Sequence, residues 1–262
     1  MTIIPIRALE ELYKNIHGKL KNKFFDNYEI HNYETLNSTM DIVKKNILKR
    51  EKLNHIIMAD FQKKGHGRFE RKWYSSRKKD LLVSIPIVLK KELSPYMPII
   101  LSLSIFQTIK NFMDDNRDLK IKWPNDILLN TKKISGMIIE NKVEEKDVFI
   151  NFGVGININS SLNDLSGKGF EATSLFLEQN KNFDLDEILY LLLINLDKNL
   201  KYSKKTYINW KSNLYLPKKK IYLNKNKDIE YEISRVDEFG NLIVCFNNQE
   251  LTLSSDEISF QD

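Results

Sequence analysis

The densest chemistry in this 262-residue chain lies in Gln62-Lys-Lys-Gly-His-Gly-Arg-Phe-Glu-Arg-Lys-Trp73. Gly65 and Gly67 permit left-handed backbone angles and let N–H groups come close to a ligand. Arg68 and Arg71 carry planar forks that match carboxylate and phosphate oxygens. Trp73 has a flat face on which a base can stack. The run from Lys63 to Lys79 holds Lys63, Lys64, Arg68, Arg71, Lys72, Arg77, Lys78 and Lys79 against one acid, Glu70, so an anion is the expected guest. Taken alone, the same residues also suit a solvated basic loop or a grip on nucleic-acid phosphates.

Three shorter pieces follow. Lys122-Trp-Pro-Asn-Asp126 comes directly after an apolar run; Pro124 fixes a turn and presents Asn125 and Asp126 at a strand end. An ordinary turn with a buried tryptophan has the same pattern. Lys133-Ile-Ser-Gly136 opens the next strand, where Gly136 weakens pairing unless something needs its space. Gly153-Val-Gly-Ile-Asn157 lacks the third glycine of a dinucleotide fingerprint, and no helix opens after it. Gly167-Lys-Gly169 lacks the spacing and ending of a phosphate-binding P-loop, so ATP held here needs another device.

The elements that must position these residues are legible from periodicity. Ser38-Thr39 precedes Met40, Val43, Ile47 and Leu48, so a hydroxyl is expected to cap an amphipathic helix. His55 to Ala59 reads as a buried strand, Gln62 to Lys79 as loop, Leu81 to Leu89 as a strand, Ile99 to Met113 as a helix and Leu119 to Trp123 as a strand. Asp126 to Asn130 and Ile134 to Glu140 read as a hairpin, and Val148 to Ile158 as a strand whose glycines let something approach. Asp184 and Glu187 resemble a capping box opening a helix to Lys201; Leu9 to Leu20 has helical spacing. After Pro217, the runs Ile221 to Leu223, Ile229 to Val236, Leu242 to Phe246 and Glu250 to Leu253 read as a small all-β unit that should dock on the first domain.

Composition bounds the class. A 42% hydrophobic and 29% charged chain suits a soluble globular protein, and the net charge of +6 is a modest excess for a nucleic-acid footprint. The lone Cys245 excludes an internal disulfide and a cysteine-based metal cluster, and the four histidines show no metal-ligand spacing. Met1 to Glu11 has no signal-peptide pattern, and the longest apolar run, Ile188 to Ile194, is too short to span a bilayer. A cytoplasmic location with no membrane partner is expected.

In order, Ser38-Thr39, Gln62 with Gly65-His-Gly-Arg68 and Arg71-Lys-Trp73, Lys122-Trp-Pro-Asn-Asp126, Lys133-Ile-Ser-Gly136 and Gly153-Val-Gly-Ile-Asn157 resemble the biotin–protein ligase family. Ala172-Thr-Ser-Leu175 and the C-terminal strands also match, and the likeness covers about residues 33 to 260. The resemblance implies an α+β fold: a class II aminoacyl-tRNA synthetase-like sheet flanked by helices, then a small Src-homology-3-like β-barrel. The corresponding boundaries are an N-terminal extension over 1–30, a catalytic domain over 31–216 and the β-unit over 217–262.

It implies that ATP, with Mg²⁺, activates biotin as biotinyl-5'-AMP, and that biotin then passes to a lysine of a biotin carboxyl carrier protein, the carrier of acetyl-CoA carboxylase or another biotin-dependent carboxylase. Ser38, Thr39 and Gln62 match residues reading the ureido ring. Gly65, His66, Gly67 and Arg68 match the loop over the carboxylate and phosphate. Lys133, with Gly136, matches the lysine beside the reacting carboxylate. Arg71, Trp73, Lys122, Asn125, Asp126 and Asn157 match the nucleotide side. Arg68, Lys133 and Asp126 are the catalytic candidates, with Mg²⁺ held through phosphates and Asp126.

Two positions depart from the family: His66 stands where Arg is usual, and Met40 where Asn follows Ser-Thr. The alternatives are a lipoate– or octanoate–protein ligase and a basic nucleic-acid-binding protein. Since 37 residues precede Ser38, too few for a helix-turn-helix domain with a linker, no sequence-specific DNA binding is expected.

Overall fold

A computed structural model describes residues 1–113, 117–166, 171–216, 221–222, 230–247 and 249–254. Gly167–Gly169 and the boundary at Pro217 lie outside the described residues. The chain runs β1 (Thr2–Pro5), α1 (Ile6–His17), β2 (Glu29–Tyr33), α2 (Thr39–Lys49), β3 (His55–Ala59), β4 (Leu81–Lys90), α3 (Met97–Lys110), β5 (Leu119–Lys122), β6 (Asp126–Leu129), β7 (Lys132–Glu144) and β8 (Asp147–Ile156). It continues through α4 (Leu162–Leu165), α5 (Leu175–Gln179), α6 (Leu185–Asn199), α7 (Lys204–Ser212) and β9 (Leu214–Tyr215). β10 (Ile221–Tyr222), β11 (Glu230–Val236), β12 (Leu242–Phe246) and β13 (Gln249–Leu253) complete it.

Nine strands form one sheet in the order β1-β2-β3-β4-β8-β7-β6-β5-β9. The sheet is mixed, because β2 with β3 and β5 with β9 run parallel while the other neighbours run antiparallel. Period-two alternation sorts β8 between two environments. Val148, Ile150, Phe152, Val154 and Ile156 enter the main core. Phe149 packs with Val43, Ile47 and Ile57 under α2 on the opposite face. Helix α3 packs against α6 on the main-core face, with α1 on α6 and α7 on α3. Its Ser102, Ser104 and Thr108 hydroxyls donate to carbonyls one turn back, which satisfies them inside a buried helix.

Residues 1–30, set apart in the sequence as an extension, belong to this sheet and core. β1 pairs with β2, Ile6 and Leu9 are buried, and Tyr190 donates to the Gly18 carbonyl. The short β1 shows no strand period, which is why residue pattern alone missed it. α7 has too few apolar positions to show a helical period, and Trp210 is its buried anchor.

β10 to β13 form a separate antiparallel sheet, and Val236, Leu242, Val244 and Leu253 join the main core. Closure of this sheet into a barrel lies outside the described residues. The buried Trp123 indole N–H donates to the Gly240 carbonyl at 2.8 Å, and Gly240 lies against Ile99 and Trp210. Trp123→Phe keeps most of the packing and strands that carbonyl. The expected cost is about 1–3 kcal/mol, read as a lower urea midpoint with an unchanged slope.

Candidate active site

On the α2 face, β7 and β8 floor a cavity of about 420 Å³. Its shape follows from glycines. A Cβ on Gly153 would lie 2.3 Å from the Met40 sulfur, and one on Gly155 would lie 2.4 Å from the Trp73 indole. A Cβ on Gly136 would reach 3.0 Å from both Lys133 Cε and Trp73. The strand glycines therefore admit side chains of the protein itself: Met40 at one end and Trp73 about two residues, or roughly 7 Å, along the strand.

The Met40 end is polar. Ser38 begins α2, yet its hydroxyl makes no cap bond, contrary to the capping expected from sequence. Gln62 takes that role from the loop after β3: its Oε1 accepts from Thr39 N–H at 2.7 Å and from Thr39 Oγ1 at 3.0 Å. Ser84 Oγ in turn donates to Thr39 Oγ1 at 2.7 Å. Ser84 was missed in the sequence; its one signal is a lone hydroxyl within the apolar run Leu81 to Leu89. Gly65 lies beneath Gln62, where a Cβ would come 3.0 Å from the Gln62 amide nitrogen and 2.9 Å from the Trp73 carbonyl.

The other end gathers charge. Lys133 Nζ lies 2.7 Å from Asp126 Oδ1 and 5.5 Å from the centre of the Trp73 ring. Strict alternation would put Lys133 and Gly136 on opposite faces. A β-bulge decides otherwise: Ile127 pairs with Ser135 but Leu128 with Lys133, so Ile134 is the extra residue and Lys133 turns to the cavity. The chain at Ala172 then pins it. Lys133 N–H donates to the Glu171 carbonyl at 3.0 Å, and Thr173 N–H to the Lys133 carbonyl at 2.9 Å.

Arg68 Nη1 reaches Asn125 Oδ1 at 3.4 Å, and Asn125 is fixed by bonds with Met137 in both directions. The basic loop is folded as a small hairpin: Gly67 N–H donates to the Arg71 carbonyl at 2.7 Å and Trp73 N–H to the Gly65 carbonyl at 2.9 Å. Phe69 sits at its tip with φ of 54° and is 53% exposed, a costly posture for a bulky residue. The far end of the loop is anchored, since Ser76 Oγ and Lys79 Nζ donate to Asp164 at 2.7 and 2.6 Å. Burial alone would raise the Asp164 carboxyl. The bonds from Lys79, Ser161 and Ser76 outweigh it and hold the group well below the usual carboxylate range.

Of the residues singled out in the sequence, the cavity is lined by Ser38, Thr39, Gln62, His66, Gly67, Arg68, Arg71, Trp73, Lys122, Asn125, Asp126, Lys133 and Gly136. Glu171 lines it too, with no sequence signal beyond its place before Ala172-Thr173. Asn157 is not among the lining residues: it is buried, and its amide donates to the Thr173 carbonyl at 2.9 Å, bracing the segment that holds Lys133.

Residues 33–157 match the Biotin/lipoate A/B protein ligase family. The match covers just under half of the chain. That matched span holds every cavity residue named above except Glu171. The chain is 32% identical over 149 residues to the "Bifunctional ligase/repressor BirA" of Bacillus subtilis, covering 55% of this chain and 45% of that protein. It is 30% identical over 130 residues to "Biotin--protein ligase 2" of Arabidopsis thaliana, covering 48% and 39%. The matched segment thus spans less than half the length of either relative. Among solved structures, the biotin protein ligase from Aquifex aeolicus in complex with biotin and ATP superposes with a TM-score of 0.67 at 23% identity, over 87% of this chain and 96% of that one. The chain therefore has the fold of that structure, a mixed sheet flanked by helices with a small antiparallel sheet appended.

Proposed function

We propose that this protein is an ATP-dependent biotin–protein ligase. The observation that carries the reading is the two-ended cavity: a chained Ser84–Thr39–Gln62 hydroxyl and amide network at one end, and Lys133, Arg68 and Trp73 at the other. A ureido ring has both donors and acceptors, so it suits the polar end, with Ser38 available beside it. The valeryl chain would run past Met40 and Gly153 and bring the carboxylate to Lys133. Adenine would stack on Trp73.

The first step joins two anions. The biotin carboxylate oxygen attacks the α-phosphorus, and pyrophosphate leaves with the electron pair of the broken P–O bond. No base is needed; cations are, and Lys133 and Arg68 supply them where charge develops. Asp126 holds the Lys133 ammonium in place before substrate arrives. Asp126 and the neighbouring Asn125 are oxygen donors of the kind Mg²⁺ takes together with phosphate oxygens; bound there, the ion would neutralise triphosphate charge. In the second step a neutral carrier lysine attacks the acyl carbon and AMP departs. The arriving ammonium must lose its proton, and Asp126, which lines the cavity together with Glu171, would orient it. No helix among the described residues is long and apolar enough to cross a membrane.

Pyrophosphate exchange into ATP tests the reading, with biotin, lipoate and octanoate compared. Exchange with biotin is expected. Exchange with lipoate or octanoate alone would move the assignment to the fatty-acid branch of the family.

The hairpin from Lys63 to Trp73 should act as the cover over the mixed anhydride, which water would otherwise hydrolyse. Its Lys63, Lys64, Arg71 and Lys72 are exposed, and their charges repel one another until an anion arrives. Trypsin should cut this loop at least about tenfold more slowly with biotin and ATP together than without ligand, with ATP alone protecting less. Equal cleavage in all three states would remove the loop from the site.

A further inference from the structure

Two histidines without metal-ligand spacing in the sequence are brought together by the parallel pairing of β2 with β3. Glu29 stands opposite His55 in the register, and His31 follows on the same face of β2. The imidazoles of His31 and His55 stack with centroids 4.0 Å apart and planes 15° from parallel. Both turn Nε2 toward one oxygen, Glu29 Oε2, at 3.3 Å from His31 and 3.8 Å from His55. One ligand atom from each of the three lies within 4.8 Å of the other two.

We propose that Glu29, His31 and His55 bind a divalent transition-metal ion of the Zn²⁺ class. An ion held at about 2.0–2.1 Å by imidazole and carboxylate in tetrahedral geometry places its ligand atoms roughly 3.3 Å apart, against 3.3 and 3.8 Å for the two histidine–glutamate separations here. Two imidazoles and one carboxylate form a donor set that Zn²⁺, Co²⁺ and Ni²⁺ accept. Convergence on one ion requires the near-parallel rings to turn about their Cβ–Cγ bonds. His55 and Glu29 retain solvent exposure, which leaves room for that turn and for water as a further ligand.

The arrangement is poor as a plain ion pair: two imidazolium rings stacked at 4.0 Å would repel, and a single carboxylate oxygen serves both. The backbone under the trio is built: Glu29 N–H donates to the Asn54 carbonyl at 3.0 Å, and His55 N–H to the Lys52 carbonyl at 3.1 Å. β2 and β3 both run from this cluster toward the cavity, where the chain after β2 supplies Ser38 and Thr39 and the chain after β3 supplies Gln62. An ion here would staple the two strands that carry the polar end of the site.

The test uses untagged full-length protein, stripped with a chelator and titrated with Co²⁺. Visible d–d absorption saturating at one equivalent, with Zn²⁺ displacing the Co²⁺, is expected. The same ion should raise the Tm of the wild type. Removing a first ligand should weaken binding more than about 100-fold, since even outer partners of metal ligands are worth 10–100-fold. His31→Asn and His55→Asn should therefore lose the bands and the Tm rise. Glu29→Gln, at a partly exposed position where no packing is lost, should do so while its metal-free Tm matches the wild type. Absence of the bands in the wild type would overturn the proposal. So would retention of one-equivalent binding in Glu29→Gln or His55→Asn, which would place the ion elsewhere.

Discussion

Lys133→Ala is expected to lower biotin-dependent pyrophosphate exchange by a factor on the order of 10²–10³, the usual cost of removing one pre-aimed electrostatic partner of a reacting group. Lys133 Nζ is held 2.7 Å from Asp126 in the cavity wall, so the charge is in place before either anion binds. The pair keeps 22% and 20% exposure at its two side chains, so losing it should change stability by no more than about 1 kcal/mol. Activity and folding are thereby separable: exchange collapses while the urea midpoint stays close to that of the wild type. If Lys133 acts as a cation over the anhydride, adding Asp126→Asn to Lys133→Ala should restore little. If its role were only to neutralise Asp126, the double variant would recover most of the lost rate. Exchange at the wild-type level in Lys133→Ala would dismiss the assignment outright.

Gly155→Ala should disable the site by a different route. The added methyl would lie 2.4 Å from Trp73 Cε2 and Cζ2 and 2.8 Å from its Nε1, inside van der Waals contact with a rigid ring. The β8 backbone cannot retreat, because Gly155 is paired on both sides, with Leu82 and with Gly136. Trp73 must therefore leave its seat, carrying the end of the basic hairpin with it. Overpacking of this kind costs about 1–3 kcal/mol, and ATP binding should fall together with stability. The clash supplies its own control. In the Trp73→Ala background there is nothing left to strike, so Gly155→Ala should cost almost nothing further, a non-additive pair in a double-mutant cycle. Additive losses would show that Gly155 serves something other than the indole.

Much of this architecture was legible in the residues. Alternation and breakers located β3, β4, β7, β8, α3 and α6 within a few residues, because each buries a face or both faces and so has an apolar period. Asn130 and Thr131 both adopt positive φ in the two-residue turn between β6 and β7, as the polar break between apolar runs implied. The cavity residues came from motif order, and the structure gathers nearly all of them along one face of β7 and β8.

What remained hidden required partners distant in sequence. The N-terminal strand β1 has no period of its own and exists because β2 offers it an edge. The residue that caps α2 is Gln62, not Ser38, because the loop after β3 delivers an amide to the helix end. Glycines that looked open to a ligand are filled by Met40 and Trp73. Asn157 braces Lys133 from outside the cavity. Glu29, His31 and His55 meet only through a parallel pairing that no spacing announces. Residue types and their order thus determined which chemistry this chain can carry. The direction of Lys133 depended on one extra residue in a ladder, since a bulge reverses the face of a side chain and its position is set by the register of neighbouring strands.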